Sequence, residues 1–250
     1  MKLLLPQSSD LHIWIADSAA DDFAPVSLEG TLNSTELARA NRFRFQKHRD
    51  QFVFSQGVLR NILSQYLQMP PRHIRFESND FGKPFLANPL PSFRRLEFNM
   101  SHSETLVLVG VTMERLVGVD TEFVRRIDGI DSVSANYFTA SECDLIRSVP
   151  ANQKDHVFYV CWTRKEAFIK AVGKGLSIPL RSFDTSMAIG APGRFIETSD
   201  DCPHVEKWWL SDLQISREYV AAFAIEGNAP AVKFVRWRYP RSGGSTGGGW

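Results

Sequence analysis

The chain has 250 residues and a mass of 28.3 kDa, with 29 Lys and Arg against 28 Asp and Glu, a net charge of +1. Hydrophobic residues make up 43% and charged residues 23%, a balance that excludes disorder and collagen-like repeats. Near-neutral charge disfavours a strongly basic nucleic-acid binder, and 18 Phe supply material for one large core or two smaller ones. Cys143, Cys161 and Cys202 are odd in number and widely spaced, with no CxxC or Cys/His pattern. That argues against a disulfide scaffold or a structural zinc and fits a reducing, cytoplasmic setting. The N-terminal apolar run ends at Pro6, too early for a signal peptide. The longest apolar stretch, 106–113, is under half of the roughly 20 residues a membrane helix needs. No membrane partner is expected.

In chain order, residues 11–16 predict a strand. Residues 33–67 predict one long helix. Asn33 and Glu36 stand at capping-box spacing, Phe43, Phe52, Val53, Leu59, Ile62, Leu63 and Tyr66 recur at mostly helical intervals, and Pro70-Pro71 closes it. Residues 73–76 predict a short strand and 79–84 a turn. Strands follow at 96–100 and 106–112, around the polar break Ser101-His102-Ser103-Glu104. The pattern then restarts. Residues 116–122 predict a strand, and Thr139 with Glu142 forms a second capping box opening a helix to residue 146. Residues 155–172 predict a helix closed by Gly173 and Gly175, and 219–225 a strand. Matching points lie about 105 to 115 residues apart, which predicts an α+β fold of two similar, pseudo-symmetric halves. Each half is expected to combine strands with packed helices. The expected division is 1–115, 116–240 and a flexible Gly/Ser-rich tail at 241–250.

Several short runs carry chemistry. Asp120 and Glu122 lie two apart on a strand and project to one side. They are either a strand end running into solvent or a carboxylate pair for a metal. Glu166 and Lys170 sit one helical turn apart, as a surface ion pair or as part of a site. Gly173-Lys174-Gly175 is not a Walker A loop, because Phe168 stands where the first Gly belongs and Gly175 follows the lysine where Ser or Thr is needed. A helix C-cap explains these glycines better. In Asn99-Met100-Ser101-His102-Ser103 no GxSxG elbow supports a hydrolase. The run suits an anion-binding turn or an ordinary polar one. Phe81-Gly82-Lys83-Pro84 sets a cation in a tight turn.

Taken in order, Asn99-Met100-Ser101-His102-Ser103, Val117-Gly118-Val119-Asp120-Thr121-Glu122, Phe138-Thr139-Ala140-Ser141-Glu142 and the run from Trp162 to Leu176 resemble the 4'-phosphopantetheinyl transferases. The resemblance is to the larger, surfactin-synthetase-activating class, whose single chain holds two similar halves, and it implies that each half is a small antiparallel sheet with packed helices, with the active site between them. Arg39, Arg42, Arg49 and Arg60, with Gly82-Lys83-Pro84, extend it upstream. The resemblance implies Mg2+-dependent transfer of the 4'-phosphopantetheine group from coenzyme A to a serine of an apo acyl or peptidyl carrier protein, releasing 3',5'-ADP. It implies a metal set of Asp120, Glu122 and Glu166, with Mn2+ as the alternative ion, and catalytic roles for Glu166 and Lys170. It implies coenzyme contacts from Arg39, Arg49, Lys83, Pro84, Ser101, His102 and Lys170. Gln51 departs from the pattern, since many relatives carry a further arginine there. The base stays open between Glu166 and Glu122. A monomer is expected, because two halves in one chain supply the cleft that smaller relatives build between subunits. The competing reading is a catalytically inactive module that binds carrier protein or coenzyme A; the intact acids argue against it.

Overall fold

The computed structural model describes residues 5–19, 26–88, 95–185 and 205–238; Cys202 and the tail 241–250 lie outside these. Its elements are β1 (Asp10–Asp17), α1 (Val26–Glu29), α2 (Ser34–Ala40), α3 (Gln46–Leu67), β2 (Phe76–Ser78), β3 (Pro84–Leu86), β4 (Leu96–Ser103), β5 (Leu106–Met113), β6 (Val117–Phe123), α4 (Ile130–Tyr137), α5 (Ala140–Ser148), α6 (Lys154–Val172), β7 (Trp208–Leu213), β8 (Tyr219–Glu226) and β9 (Ala231–Arg236). Two antiparallel three-stranded units share one connectivity. β1 pairs with β5 and β5 with β4; β6 pairs with β8 and β8 with β7. In each unit a long helix, α3 or α6, comes between the first strand and the second. The repeat expected from spacing is therefore a repeat of topology, and the α+β class with two sheet-and-helix halves is borne out.

Two additions break the symmetry. The β2–β3 hairpin is inserted before β4, with Phe76 opposite Leu86. β9 runs parallel to β1, Asp10 opposite Ala231, and Trp237 beyond it packs edge-on to Phe54. The chain thus returns from the second unit to finish in the sheet of the first.

The helix expected over 33–67 is two helices. Asn33 and Glu36 form their capping box, but it opens only α2. Arg42-Phe43-Arg44-Phe45 alternates polar and apolar residues rather than following a helical period. The chain folds back there, and the Phe43 and Phe52 rings meet at 5.5 Å. Fully buried Arg60 then fastens α3 to α2, donating to both Glu36 carboxylate oxygens at 2.6 and 2.8 Å. The strand expected at 73–76 starts only at Phe76, because Pro71 begins a 3-10 turn ahead of it. Thr139 with Glu142 opens α5, and Gly173, at φ 73°, closes α6, both as expected. Strand β4 continues through Ser101 and Ser103, where the sequence suggested a break.

One core packs α3 on the first sheet, and another packs α6 on the second. A third lies between the sheets, where Leu11, Ile13 and Leu108 meet Val117, Val119, Phe223 and Ile225. Each such side chain contributes about 1.5–3 kcal/mol on burial, so this layer holds the halves together. Among the described residues no helix is long and apolar enough to cross a membrane.

Candidate active site

Strand β6 pairs with β8 along one edge and turns its other edge toward β4. There the N–H groups of Val119, Thr121 and Phe123 meet side chains instead of a backbone ladder. Asn99 Oδ1 accepts from Val119 at 2.9 Å, Ser101 Oγ from Thr121 at 3.4 Å and Ser103 Oγ from Phe123 at 3.1 Å. The spacing of two is the strand period, and it satisfies three donors that would otherwise be buried without partners. The serines then donate onward. Ser101 O–H reaches Asp120 Oδ1 and Ser103 O–H reaches Glu122 Oε2, both at 2.8 Å.

Helix α6 crosses β6 at Gly118. A Cβ there would lie 2.0 Å from the Ala167 carbonyl oxygen and 2.3 Å from the Ala171 nitrogen, so only glycine permits the approach. The contact brings Lys170 Nζ to 2.6 Å from Asp120 Oδ1 and 3.1 Å from Ser101 Oγ. Helical spacing suggested Glu166 as the partner of Lys170; the fold gives it Asp120. Asp120 is 3% exposed, and its Oδ2 is one of two buried side-chain polar atoms lacking a hydrogen-bond partner among the described residues. Burial pushes the Glu166 carboxyl above its ordinary value, the Asp120 charge adds to this, and Lys170 opposes it. Burial also raises Glu122, against the Ser103 hydrogen bond.

A buried aspartate with an unpartnered oxygen, beside two half-buried glutamates that repel it, suits a hard divalent cation. Among the described residues no three His, Cys, Asp or Glu side chains converge into a ready metal cage. The expected three-acid set is therefore not pre-assembled. Mg2+ still fits, because it is commonly held by one or two carboxylates plus waters and substrate phosphates.

A cleft of about 560 Å³ opens beside the acids, lined by Arg39, Phe52, Gly82, Lys83, Pro84, Phe98, Met100, Glu166 and Lys170 among others. That volume suits a cofactor-sized ligand. Four residues expected on the coenzyme, Arg39, Lys83, Pro84 and Lys170, line it. Arg39 stands 5.0 Å over the Phe52 ring. Arg49 lies apart from this lining, its guanidinium 2.7 Å from Glu29 and 3.4 Å from Asn41. Ser101 and His102 are consecutive on a strand and so face opposite ways. Ser101 serves Asp120, while His102 Nδ1 lies 3.3 Å from Gln51 Nε2 on α3. Burial, aided by Lys170, lowers the His102 pKa. The Lys83 ammonium is turned onto the carbonyls of Ala171 and Val117. Sequence reasoning missed Asn99, Ser103 and Gly118. The alternation of Asn99, Ser101 and Ser103 was a legible signal; Gly118 acts on a distant helix and leaves no local sign.

Residues 116–224 match the family described as the 4'-phosphopantetheinyl transferase superfamily, and residues 25–114 match 4'-phosphopantetheinyl transferase, N-terminal. The 4'-phosphopantetheinyl transferase HetI of Nostoc sp. is 34% identical over 232 residues, 93% of each chain. The 4'-phosphopantetheinyl transferase psf-1 of Bacillus pumilus is 35% identical over 151 residues, 60% of this chain and 62% of that one. The L-aminoadipate-semialdehyde dehydrogenase-phosphopantetheinyl transferase of Rattus norvegicus is 29% identical over 211 residues, 78% and 67% of the two chains. Likeness that runs nearly the length of both chains, through both halves, makes this chain a member of the 4'-phosphopantetheinyl transferase superfamily and an enzyme of that activity.

Proposed function

We propose that this transferase moves the 4'-phosphopantetheine arm of coenzyme A to a serine of an apo acyl or peptidyl carrier protein, releasing 3',5'-ADP, with Mg2+ or Mn2+. We assign it to the two-half, surfactin-synthetase-activating type. The observation that carries the reading is the meeting of Lys170 Nζ with buried Asp120 at 2.6 Å, beside a cleft that Glu166 and Lys170 both line. Phosphoryl transfer depends mostly on such positioning and electrostatics.

In this reading the coenzyme lies along the cleft against Arg39, Pro84 and Lys170, while His102 and Arg49 stand outside its lining. Ser101 acts through Asp120, which it orients. Asp120, Glu122 and Glu166 would hold the metal, gathering on it only with waters and the substrate phosphates in place, and it would neutralise pyrophosphate charge. Lys170 stabilises negative charge on the phosphoryl oxygens. The carrier serine oxygen forms the new P–O bond as the bond to 3',5'-ADP breaks, and its proton passes to a carboxylate. Glu166 is the better base, since it lines the cleft and burial raises its proton affinity. Glu122, already engaged by Ser103, is the alternative. The division near residue 115 leaves Arg39 and Pro84 in the first half and the metal-binding acids with Lys170 in the second, so the cleft draws on both, and β9 rejoins the first. Free Cys143 and Cys161 support a cytoplasmic setting.

Incubation with coenzyme A, Mg2+ and an apo carrier, followed by mass measurement of the carrier, tests the reading. One added phosphopantetheine is expected, and its loss in Asp120→Ala. Coenzyme binding with no change in carrier mass would reduce the chain to a binding module.

A further inference from the structure

We propose that Lys83 is a positioning residue for the transfer: its amine ties the end of α6 to the start of β6, fixing Glu166 and Lys170 against Asp120 and Glu122. This rests on the reading of those four residues as the reacting site. Lys83 Nζ donates to Ala171 O at 2.7 Å and to Val117 O at 3.2 Å. Both carbonyls need an outside donor. Ala171 lies in the last turn of α6, where carbonyls have no helical N–H to accept. Val117 leads the β6 edge whose N–H groups are met by Asn99, Ser101 and Ser103. Lys83 thus extends that row by one member, and it is the member that also grips the helix.

The rest of the turn is built around this tether. Asn79 Nδ2 donates to Gly173 O at 2.7 Å, while its Oδ1 accepts the N–H groups of Phe81 at 3.0 Å and Lys83 at 2.9 Å. The β2–β3 turn is therefore braced internally and clamped to the helix end twice. Gly173 leaves the passage for the lysine stem, since a Cβ there would lie 2.6 Å from Lys83 Cδ. A phosphate contact would need the ammonium released from these acceptors; here both carbonyls hold it. Burial lowers its pKa from 10.5 to about 8. A neutral amine keeps two N–H groups for the same two carbonyls, so the tether does not require the charge, whereas a phosphate ligand would.

Lys83→Met keeps the stem and removes both bonds. In the full-length chain the Kd for coenzyme A should stay within about twofold of wild type while kcat falls about 10- to 100-fold. Lys83→Cys alkylated with 2-bromoethylamine rebuilds an amine of the same reach and should restore most of kcat; alkylated wild type controls for the other cysteines. A raised Kd for coenzyme A with kcat intact at saturation would make Lys83 a phosphate ligand and overturn the proposal. Unchanged kcat and Kd would also overturn it. Should Lys83→Met fail to fold, Asn79→Asp keeps the acceptor of the turn and removes the donor to Gly173. It should lower kcat at constant Kd, and a wild-type kcat there overturns the proposal. Asp120→Ala run alongside separates the two readings. If that variant stays active, the site assignment itself fails. If it is inactive while Lys83→Met shifts only the coenzyme Kd, the positioning role alone fails.

Discussion

The proposed reaction would set two competing demands on one carboxylate, Glu166. A bound metal would hold it ionised and blunt its basicity, whereas burial raises its proton affinity. Glu166→Gln keeps shape and one oxygen ligand but removes most basicity. A base at this position predicts intact coenzyme and Mg2+ binding with kcat down by roughly 10²–10⁴. A ligand alone predicts that excess Mg2+ restores much of kcat. Single-turnover rates and coenzyme titrations at several Mg2+ concentrations distinguish these outcomes. His12 is a buried titratable group of another kind. Its Nδ1 lies 2.8 Å from the Tyr66 hydroxyl, which accepts from Trp14 Nε1 at 2.8 Å. Burial first, then Lys233, hold its pKa below 6.5 against the pull of Asp10. Protonation therefore favours the unfolded chain. The stability His12 contributes is complete above pH 6.5 and is lost as pH falls through its lower folded value. From about pH 7.5 to 5, Tm should fall more steeply in wild type than in His12→Asn. Equal slopes would remove His12 from the acid limb.

Among the elements, the crossing of α6 over β6 brings Lys170 to Asp120. Phe168 anchors the helix, edge-on to Phe183 at 4.9 Å and to Trp208 at 5.7 Å. Gly118 sets how closely it approaches. In Gly118→Ala the helix must lift by roughly 1 Å, enough to cost about 100-fold in kcat. The anchoring aromatics should keep the variant folded with a lowered Tm. Activity and thermal unfolding measured together check this, and wild-type kcat would mean that the helix height does not govern the site. The side-chain cover of the β6 edge shows how a strand edge is protected without a ladder, since each N–H has its own acceptor.

For the whole molecule, a net charge of +1 leaves no global field to steer an acidic partner, so recognition must be local. Exposed Arg125 and Arg126 follow the acidic pair on β6; Arg125 pairs with Glu104, and Arg126 lies 3.5 Å from Asp128. Charge reversal at both should raise the KM for the carrier, with the effect shrinking from low to physiological ionic strength. A carrier KM indifferent to both changes would leave the patch idle. The layer between the sheets and the return of β9 to β1 join the halves within one chain. The active species should therefore sediment as a monomer at assay concentration; an obligate dimer or trimer would count against an internal cleft.

Features complete within a few residues are legible in the sequence alone. The capping boxes at Asn33 and Thr139, the left-handed Gly173 and the strand carrying Asp120 and Glu122 all stand where local chemistry puts them. The order of the motifs carries the family. Periodicity does not reveal the fold-back at 41–45, the pairing of β9 with β1, the choice of Asp120 by Lys170, or the carbonyls beneath Lys83. Caps and alternation are decided by neighbours no more than about four residues away, and so they can be read along the chain. A buried amine chooses among acceptors brought near by packing. Here the packing follows from the missing Cβ of Gly118 and the hydroxyls of β4, whose partners are distant in sequence.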